Sequence, residues 1–110
     1  MAKYECTITG DFDGVLRRLH DGVMNGSASA SYEDGSDYRD RDFRCAVRVY
    51  ERYSWSGGNR VSLSVTLFGV GDELMLSAIT AGGSQAMFFK VNTWGEEAFL
   101  DSIRETLERL

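Results

Sequence analysis

The sequence predicts an α+β fold in two layers, in which a curved antiparallel sheet carries two helices on one face. Two patterns predict it. Several segments alternate apolar and polar residues, as a half-buried strand does, and two others repeat apolar residues at the spacing of an amphipathic helix. Their order is strand, helix, four or five strands, helix, and the 110 residues form a single globular domain, 1–110.

The first two elements are a strand over residues 3–9 and a helix that follows Gly10. The inward side of the strand consists of Tyr4, Cys6 and Ile8. Asp11 is placed to cap the helix, and Asn25-Gly26 provides its C-terminal stop. The apolar stripe of this helix consists of Phe12, Leu16, Leu19 and Val23.

The middle of the chain predicts an antiparallel meander. SASASY predicts a short strand with Ala28, Ala30 and Tyr32 turned inward, and EDGSDYRDRD predicts the longest polar loop. In the next strand one face is the apolar side, formed by Phe43, Cys45, Val47 and Val49. Its other face is formed by Arg44, Arg48, Tyr50 and Arg52. After the turn SWSGGN, the following strand turns inward Val61, Leu63, Val65 and Leu67.

GVGD then predicts a hairpin loop before ELMLSAIT. Pairing Phe68 with Glu73 keeps the inner face apolar, because Leu67 then faces Leu74, Val65 faces Leu76 and Leu63 faces Ala78. If Gly82-Gly83 is a two-residue turn, Ala78 lies opposite Met87, Leu76 opposite Phe89 and Leu74 opposite Val91. The alternative is that these glycines form a bulge within one longer strand.

The two glycines also raise the possibility of a phosphate site. Such a cradle needs its glycines between a strand and the immediate start of a helix, whereas the residues after Gly83 predict another strand. The last helix begins near residue 94, with Thr93 at the cap position and Glu96 three residues later. Its apolar face consists of Phe99, Leu100, Ile103, Leu107 and Leu110.

The order of elements is similar to the TATA-binding-protein-like and helix-grip folds, in which a meander wraps a long C-terminal helix. The run GGSQAMFFKVNTWGEEAFLD and the chain length also resemble a small bacterial family known only as a domain of unknown function. That resemblance covers nearly the whole chain and implies no activity, since fold does not imply function.

Composition excludes several classes of protein. With 43% apolar and 26% charged residues the chain resembles ordinary globular proteins. A net charge of −5 argues against nucleic-acid binding, which needs clustered Lys and Arg. No apolar run reaches the roughly 20 residues that span a bilayer, and MAKYECTITG lacks the features of an export signal, so we expect a cytoplasmic protein.

Candidates for chemistry are few. His20 is the only histidine, and Cys6 and Cys45 are expected to be free thiols on apolar strand faces, so neither zinc nor a disulfide is predicted. A carboxylate cluster suggests calcium, but its spacing differs from an EF-hand loop and Arg39 and Arg41 interrupt it. That cluster is Glu33, Asp34, Asp37, Asp40 and Asp42. We therefore expect no enzyme, cofactor or metal.

The outer face of the predicted sheet is the strongest candidate for function. It brings together apolar residues from neighbouring strands, and exposed clusters of that kind usually bind a partner. The expected interface is Tyr50, Phe68, Met75, Ile79 and Phe88. Self-association or protein binding through this face is the first hypothesis, with a homodimer as its simplest form. The alternative is an apolar small-molecule ligand held between the sheet and the C-terminal helix.

Overall fold

The structure is a computed structural model that describes residues 2–26, 29–53 and 60–82. These residues form one helix and five strands, and the strands make one antiparallel sheet in the order β1-β5-β4-β3-β2. The elements are β1 (Ala2–Thr9), α1 (Phe12–Asn25), β2 (Ser31–Asp40), β3 (Phe43–Tyr53), β4 (Arg60–Val70) and β5 (Glu73–Gly82). The α+β class is confirmed, and the predicted C-terminal helix lies outside the described residues.

The core lies between α1 and one face of the sheet, which we call the inner face. Alternate residues of β4 and β5 point into it, as the sequence predicts, and they are almost completely buried. They are Val61, Leu63, Val65, Leu67, Leu74, Leu76, Ala78 and Thr80. From β1, Tyr4, Cys6 and Ile8 pack against this core and stay half-buried, since β1 lies at one end of the strand order.

The helix α1 forms where the sequence predicts it. Asp11 is the N-cap, and its carboxylate accepts a hydrogen bond of 2.9 Å from the Gly14 N–H. The N–H of Gly26 donates to the carbonyl groups of Gly22 and Val23 and closes the last turn. The buried stripe consists of Phe12, Val15, Leu19 and Val23. No helix in the described part of the chain is long and apolar enough to cross a membrane.

The pairing of β4 with β5 differs from the expected register by two residues. Phe68 pairs with Met75 rather than with Glu73, because the turn contains only Gly71 and Asp72. The prediction of a four-residue GVGD loop is therefore wrong. An even shift leaves every side chain on its predicted face, so the inward sets remain correct.

The expected strand partner of β5 is also wrong. The positions predicted to face Met87, Phe89 and Val91 pair instead with β1, which occupies that edge from Ala2 to Thr9. On its other side β5 pairs with β4, and the choice between a turn and a bulge at Gly82-Gly83 involves residues outside the described ones. The resemblance to helix-grip folds depends on the helix outside the described residues and stays a prediction.

The strand β2 lies where a polar loop was expected. Ser31 and Tyr32 of the predicted strand SASASY lie in β2, whereas Ser29 and Ala30 precede it. The strand continues through residues 33–40, with a bulge at Glu33. Because β2 lies at the end of the strand order and most of its residues are exposed, its polar side chains need no burial. Charged edge strands also discourage edge-to-edge aggregation.

The faces of β3 are reversed relative to the prediction. Ala46 pairs with Leu67 and Tyr50 with Leu63, so the arginine-bearing side of β3 faces α1 and the apolar side faces away. Two arginines keep their charged ends paired there. Arg44 lies 2.9 Å from Asp13 and stacks on the Phe12 ring, while Arg48 lies 2.9 Å from Asp37 of β2.

The sheet ends in a close backbone contact at the turn between β4 and β5. A Cβ atom added at Gly69 would overlap the carbonyl oxygen of Glu73 and lie 2.8 Å from the Cα of Leu74. Gly71, two residues later, has a φ of 61° with open space around it. Gly69 is therefore required because any side chain there would collide with the β5 backbone, and Gly71 is favoured only because of its left-handed backbone conformation.

We expect Gly69→Ala to lower the free energy of unfolding by about 2–4 kcal/mol, because the added methyl group displaces the β5 backbone. Gly71→Ala should cost only about 1–2 kcal/mol, the strain of a left-handed residue. Urea unfolding followed by circular dichroism measures both. Equal losses for the two variants would contradict the close approach at Gly69.

Candidate functional site

The outer face of the sheet is the side opposite α1. On the three central strands its residues are uncharged from the level of Val49 to that of Phe68, and Phe43 and Val70 extend the apolar area into the next row, beside Glu73. We call this area the central patch. It consists of Phe43, Cys45, Val47 and Val49 from β3, Ser64, Thr66, Phe68 and Val70 from β4, and Met75, Ser77 and Ile79 from β5. Phe68, Met75 and Ile79 therefore lie on the face where the sequence places them.

The apolar side chains of the central patch are concentrated near one end of the sheet. The strand registers align Tyr38, Cys45, Phe68 and Met75 in one row across four strands. Met75 is 49% exposed and Phe43, in the adjacent row, 40% exposed. Val70 of β4, the strand between them, is 56% exposed, so these apolar residues form a continuous surface rather than scattered positions.

A shallow groove of about 530 Å³ runs over this end of the sheet. Its walls come from β1, β3, β4 and β5, with Phe43, Phe68, Val70 and Met75 as the apolar part and Thr7, Thr9 and Glu73 as the polar part. The groove lies on the outer face, so it is not the cavity between sheet and helix that the ligand hypothesis requires.

Charged residues surround the central patch. On the outer face they occupy the two edge strands and the strand ends, and they are Lys3, Glu5, Asp34, Asp40, Glu51, Arg60 and Glu73. Lys3 lies 3.6 Å from Glu5, and Arg60 forms an ion pair with Glu51. An uncharged centre inside a charged rim is the usual anatomy of a protein–protein interface.

A family model described as a family of unknown function, DUF6054, matches residues 1–110. The chain belongs to the DUF6054 family. This confirms the resemblance to an uncharacterised domain. A search of curated proteins found no match to the chain.

Tyr50 of this DUF6054 protein is not part of the outer face. It lies on the inner face and is fully buried, so its expected place in an outer interface is wrong. Its hydroxyl lies 2.9 Å from Nδ1 of His20 on α1, and the Tyr32 ring of β2 lies 5.7 Å from the Tyr50 ring. Phe88, the remaining predicted interface residue, lies outside the described residues.

The cluster of His20, Tyr32 and Tyr50 joins α1 to the sheet. Burial raises the pKa of Tyr50 to about 12, so its hydroxyl is protonated at neutral pH. The hydroxyl group donates a hydrogen bond to Nδ1 of His20 in the histidine tautomer that leaves this nitrogen unprotonated. Gly35 makes room for the cluster, since a Cβ there would lie 2.6 Å from the Tyr32 hydroxyl and 2.7 Å from the Val47 carbonyl oxygen.

The predicted carboxylate cluster does not converge on one point. Asp37 faces inward and pairs with Arg48, while Asp34 and Asp40 lie on the outer face and Glu33 lies 3.9 Å from Arg60. Among the described residues, no three His, Cys, Asp or Glu side chains come close enough together to hold a metal ion. The strand β2 separates the acids, because alternate residues point to opposite faces.

A second groove, of about 630 Å³, lies beside the start of α1. It combines three cations with three carboxylates, namely Arg39, Arg41, Arg44, Asp11, Asp42 and Asp72. Asp11 is engaged in capping α1, and Arg44 pairs with Asp13 outside the groove lining. The balance of charge gives this groove no preference for an anion such as phosphate.

The two cysteines occupy opposite faces of the sheet. Cys6 faces inward opposite Leu76, and Cys45 faces outward opposite Phe68, so only one of them lies on the predicted apolar core side. Both are free and half-buried. Burial raises the pKa of the Cys6 thiol, and the hydrogen bond with Tyr4 partly opposes that shift.

Sequence reasoning missed the contribution of β3 to the outer face. Its apolar alternation was assigned to the core, which removed Phe43, Cys45, Val47 and Val49 from the candidate surface. The available signal was the acidic residue opposite each inward arginine, because Asp13 on α1 and Asp37 on β2 let Arg44 and Arg48 face the helix.

We expect Tyr50→Phe to lower the free energy of unfolding by about 1 kcal/mol at pH 7, because His20 loses its hydrogen bond. The contribution of Tyr50 should also depend on pH. Its pKa is about 12 in the folded chain against an ordinary 10.0, so its stabilising effect is complete below pH 10 and is lost as the pH rises through 12. The loss should be about 2 kcal/mol.

Denaturant unfolding of the wild type and Tyr50→Phe between pH 7 and 12 measures both effects. Tyr38→Phe is the matched control: because Tyr38 is 62% exposed, this variant should keep both the wild-type stability at pH 7 and the wild-type alkaline loss. An alkaline loss of the same size in Tyr50→Phe as in the wild type would contradict the assignment to Tyr50.

Proposed function

We propose that this protein is a non-enzymatic association domain that binds another protein surface through the central patch of its outer sheet face. The observation that carries the proposal is the contrast between the uncharged patch and its charged rim. Met75, Phe43 and Ile79 are 49%, 40% and 38% exposed, and the favourable free energy of covering apolar surface is about 25 cal/mol per Å². Burying these side chains against a partner therefore contributes favourably to the free energy of binding.

The shape of the patch supports a protein rather than a small molecule as the partner. A small-molecule site encloses most of its ligand, whereas this face is broad and its groove shallow. The polar members of the patch, such as Ser64, Thr66 and Ser77, add hydroxyl groups that can hydrogen-bond across an interface. Depletion of charge at the centre is the compositional feature that separates interfaces from ordinary surface.

The two free thiols support a cytoplasmic location. Cys6 and Cys45 lie on opposite faces and cannot bridge one another within this fold. A half-buried Cys45 on the outer face would be open to oxidation in an exported protein, and reducing compartments preserve such thiols.

We expect Phe68→Glu to abolish association of the purified protein, because a carboxylate in the centre of the patch has no compensating charge when it is covered. Size-exclusion chromatography with light scattering, across a concentration series, should show the wild type above monomer mass and Phe68→Glu at monomer mass.

Arg18→Gln is the matched control, since it changes the net charge by the same amount at an exposed position of α1, away from the patch. Circular dichroism establishes that both variants remain folded. If the wild type lies above monomer mass and folded Phe68→Glu keeps that mass at every concentration, the central patch is not the association surface.

A further inference from the structure

The outer face carries opposite charges at the two ends of one row. The strand registers align Lys3 of β1, Ile79 of β5, Ser64 of β4, Val49 of β3 and Asp34 of β2. The order of strands puts β4 in the middle of the sheet, with β1 and β2 at equal distances on either side. Rotation by 180° about a line along β4 therefore exchanges the cation with the anion.

We infer that the partner of this face is a second copy of the same chain, packed face to face about a two-fold axis that runs along β4. The inference rests on the proposed function and adds the partner and its orientation. In this arrangement Lys3 of each copy meets Asp34 of the other, and the pair occurs twice because the interface is isologous.

The same rotation matches most of the apolar residues, with the exception of Phe43, which meets Glu73 of the second copy. Phe68 lies on the axis and meets its own copy, which puts one of the two phenylalanines of the patch in a symmetric contact next to the middle row. Met75 then faces Cys45 of the second copy, and Ile79 faces Val49. Glu5 meets Ser36 and no carboxylate meets another carboxylate across the interface.

The other face-to-face symmetry is disfavoured by charge. A two-fold axis across the strands through the row of Thr66, the middle row of the face, brings Glu5 of each copy against Glu5 of the other. Moving that axis away from Thr66 leaves part of the patch uncovered. Facing sheets in proteins pack with their strands about 30° apart, and the axis along β4 is compatible with that aligned geometry.

The size of the face is sufficient for a dimer. Five strands with 4.8 Å between neighbours and about nine residues of 3.4 Å each span roughly 19 by 30 Å, or about 600 Å² in projection. Because side chains protrude from this face, its accessible area is larger than its area in projection. The face thus approaches the roughly 800 Å² per partner that is typical of specific interfaces.

A charge-reversal cycle tests the orientation. We expect Lys3→Asp and Asp34→Lys each to weaken dimerisation about tenfold, because each creates two like-charge contacts per dimer. The double variant Lys3→Asp/Asp34→Lys should return to within about twofold of the wild-type dissociation constant. Sedimentation equilibrium in about 0.15 M salt measures all four proteins.

Recovery in the double variant is specific to contact between copies. Within one chain the two residues lie four strand spacings apart, about 19 Å, which is beyond the screening length of about 8 Å at this salt concentration. The control cycle pairs Lys3→Asp with Asp40→Lys. Asp40 is on the same strand and face as Asp34 but meets Thr9 of the second copy, so no recovery is expected there.

The outcomes separate the inference from the proposed function. If Phe68→Glu is monomeric while the double charge reversal stays as weak as the product of the single effects, the β4 axis is wrong and the proposed surface stands. Equal recovery in the Asp40 control also overturns the axis. A wild type that remains monomeric at about 200 µM overturns the second-copy partner altogether.

Discussion

The antiparallel pairing of β3 with β4 is the contact on which the rest of the structure depends. It sets Ala46 against Leu67 and Tyr50 against Leu63, and this choice decides which side of β3 joins the core. A shift of one residue would exchange every side chain of β3 between the faces. The apolar side would then lie under α1, and the outer face would carry Arg44, Arg48 and Arg52 in place of the central patch.

The arginine side is acceptable in the interior because neighbouring elements supply charge and aromatic rings. Asp13 and the Phe12 ring contact Arg44, and Asp37 contacts Arg48, so their charged ends stay paired at the edge of the core. Tyr50, deeper in, is paired through its hydroxyl with His20. The edge strand β2 thus contributes to folding through its polar residues, while the apolar side of β3 lies on the outer face.

Local patterns predicted the elements whose neighbours are apolar. The cap of α1 and the alternation of β1, β4 and β5 were correct, because each pattern has one face that can only be buried. The stripe of α1 was correct except that Val15 is buried and Leu16 only partly so. The strand β2 was missed, since an edge strand with exposed faces shows no apolar alternation. The faces of β3 were reversed because alternation does not reveal the paired acids Asp13 and Asp37. Phe68, Met75 and Ile79 were placed on the correct face because they lie on β4 and β5, whose faces were predicted correctly. Tyr50 lies on β3 and was therefore placed on the wrong face.

Thiol reactivity gives the most direct test of association through the outer face, because the chain carries one free cysteine on each side of the sheet. The labelling rates of Cys45 and Cys6 are measured by mass spectrometry from about 1 to 200 µM protein. Association through the central patch predicts that Cys45 reacts about tenfold more slowly at the highest concentration while Cys6 keeps its rate. A Cys45 rate that does not change with concentration would contradict it.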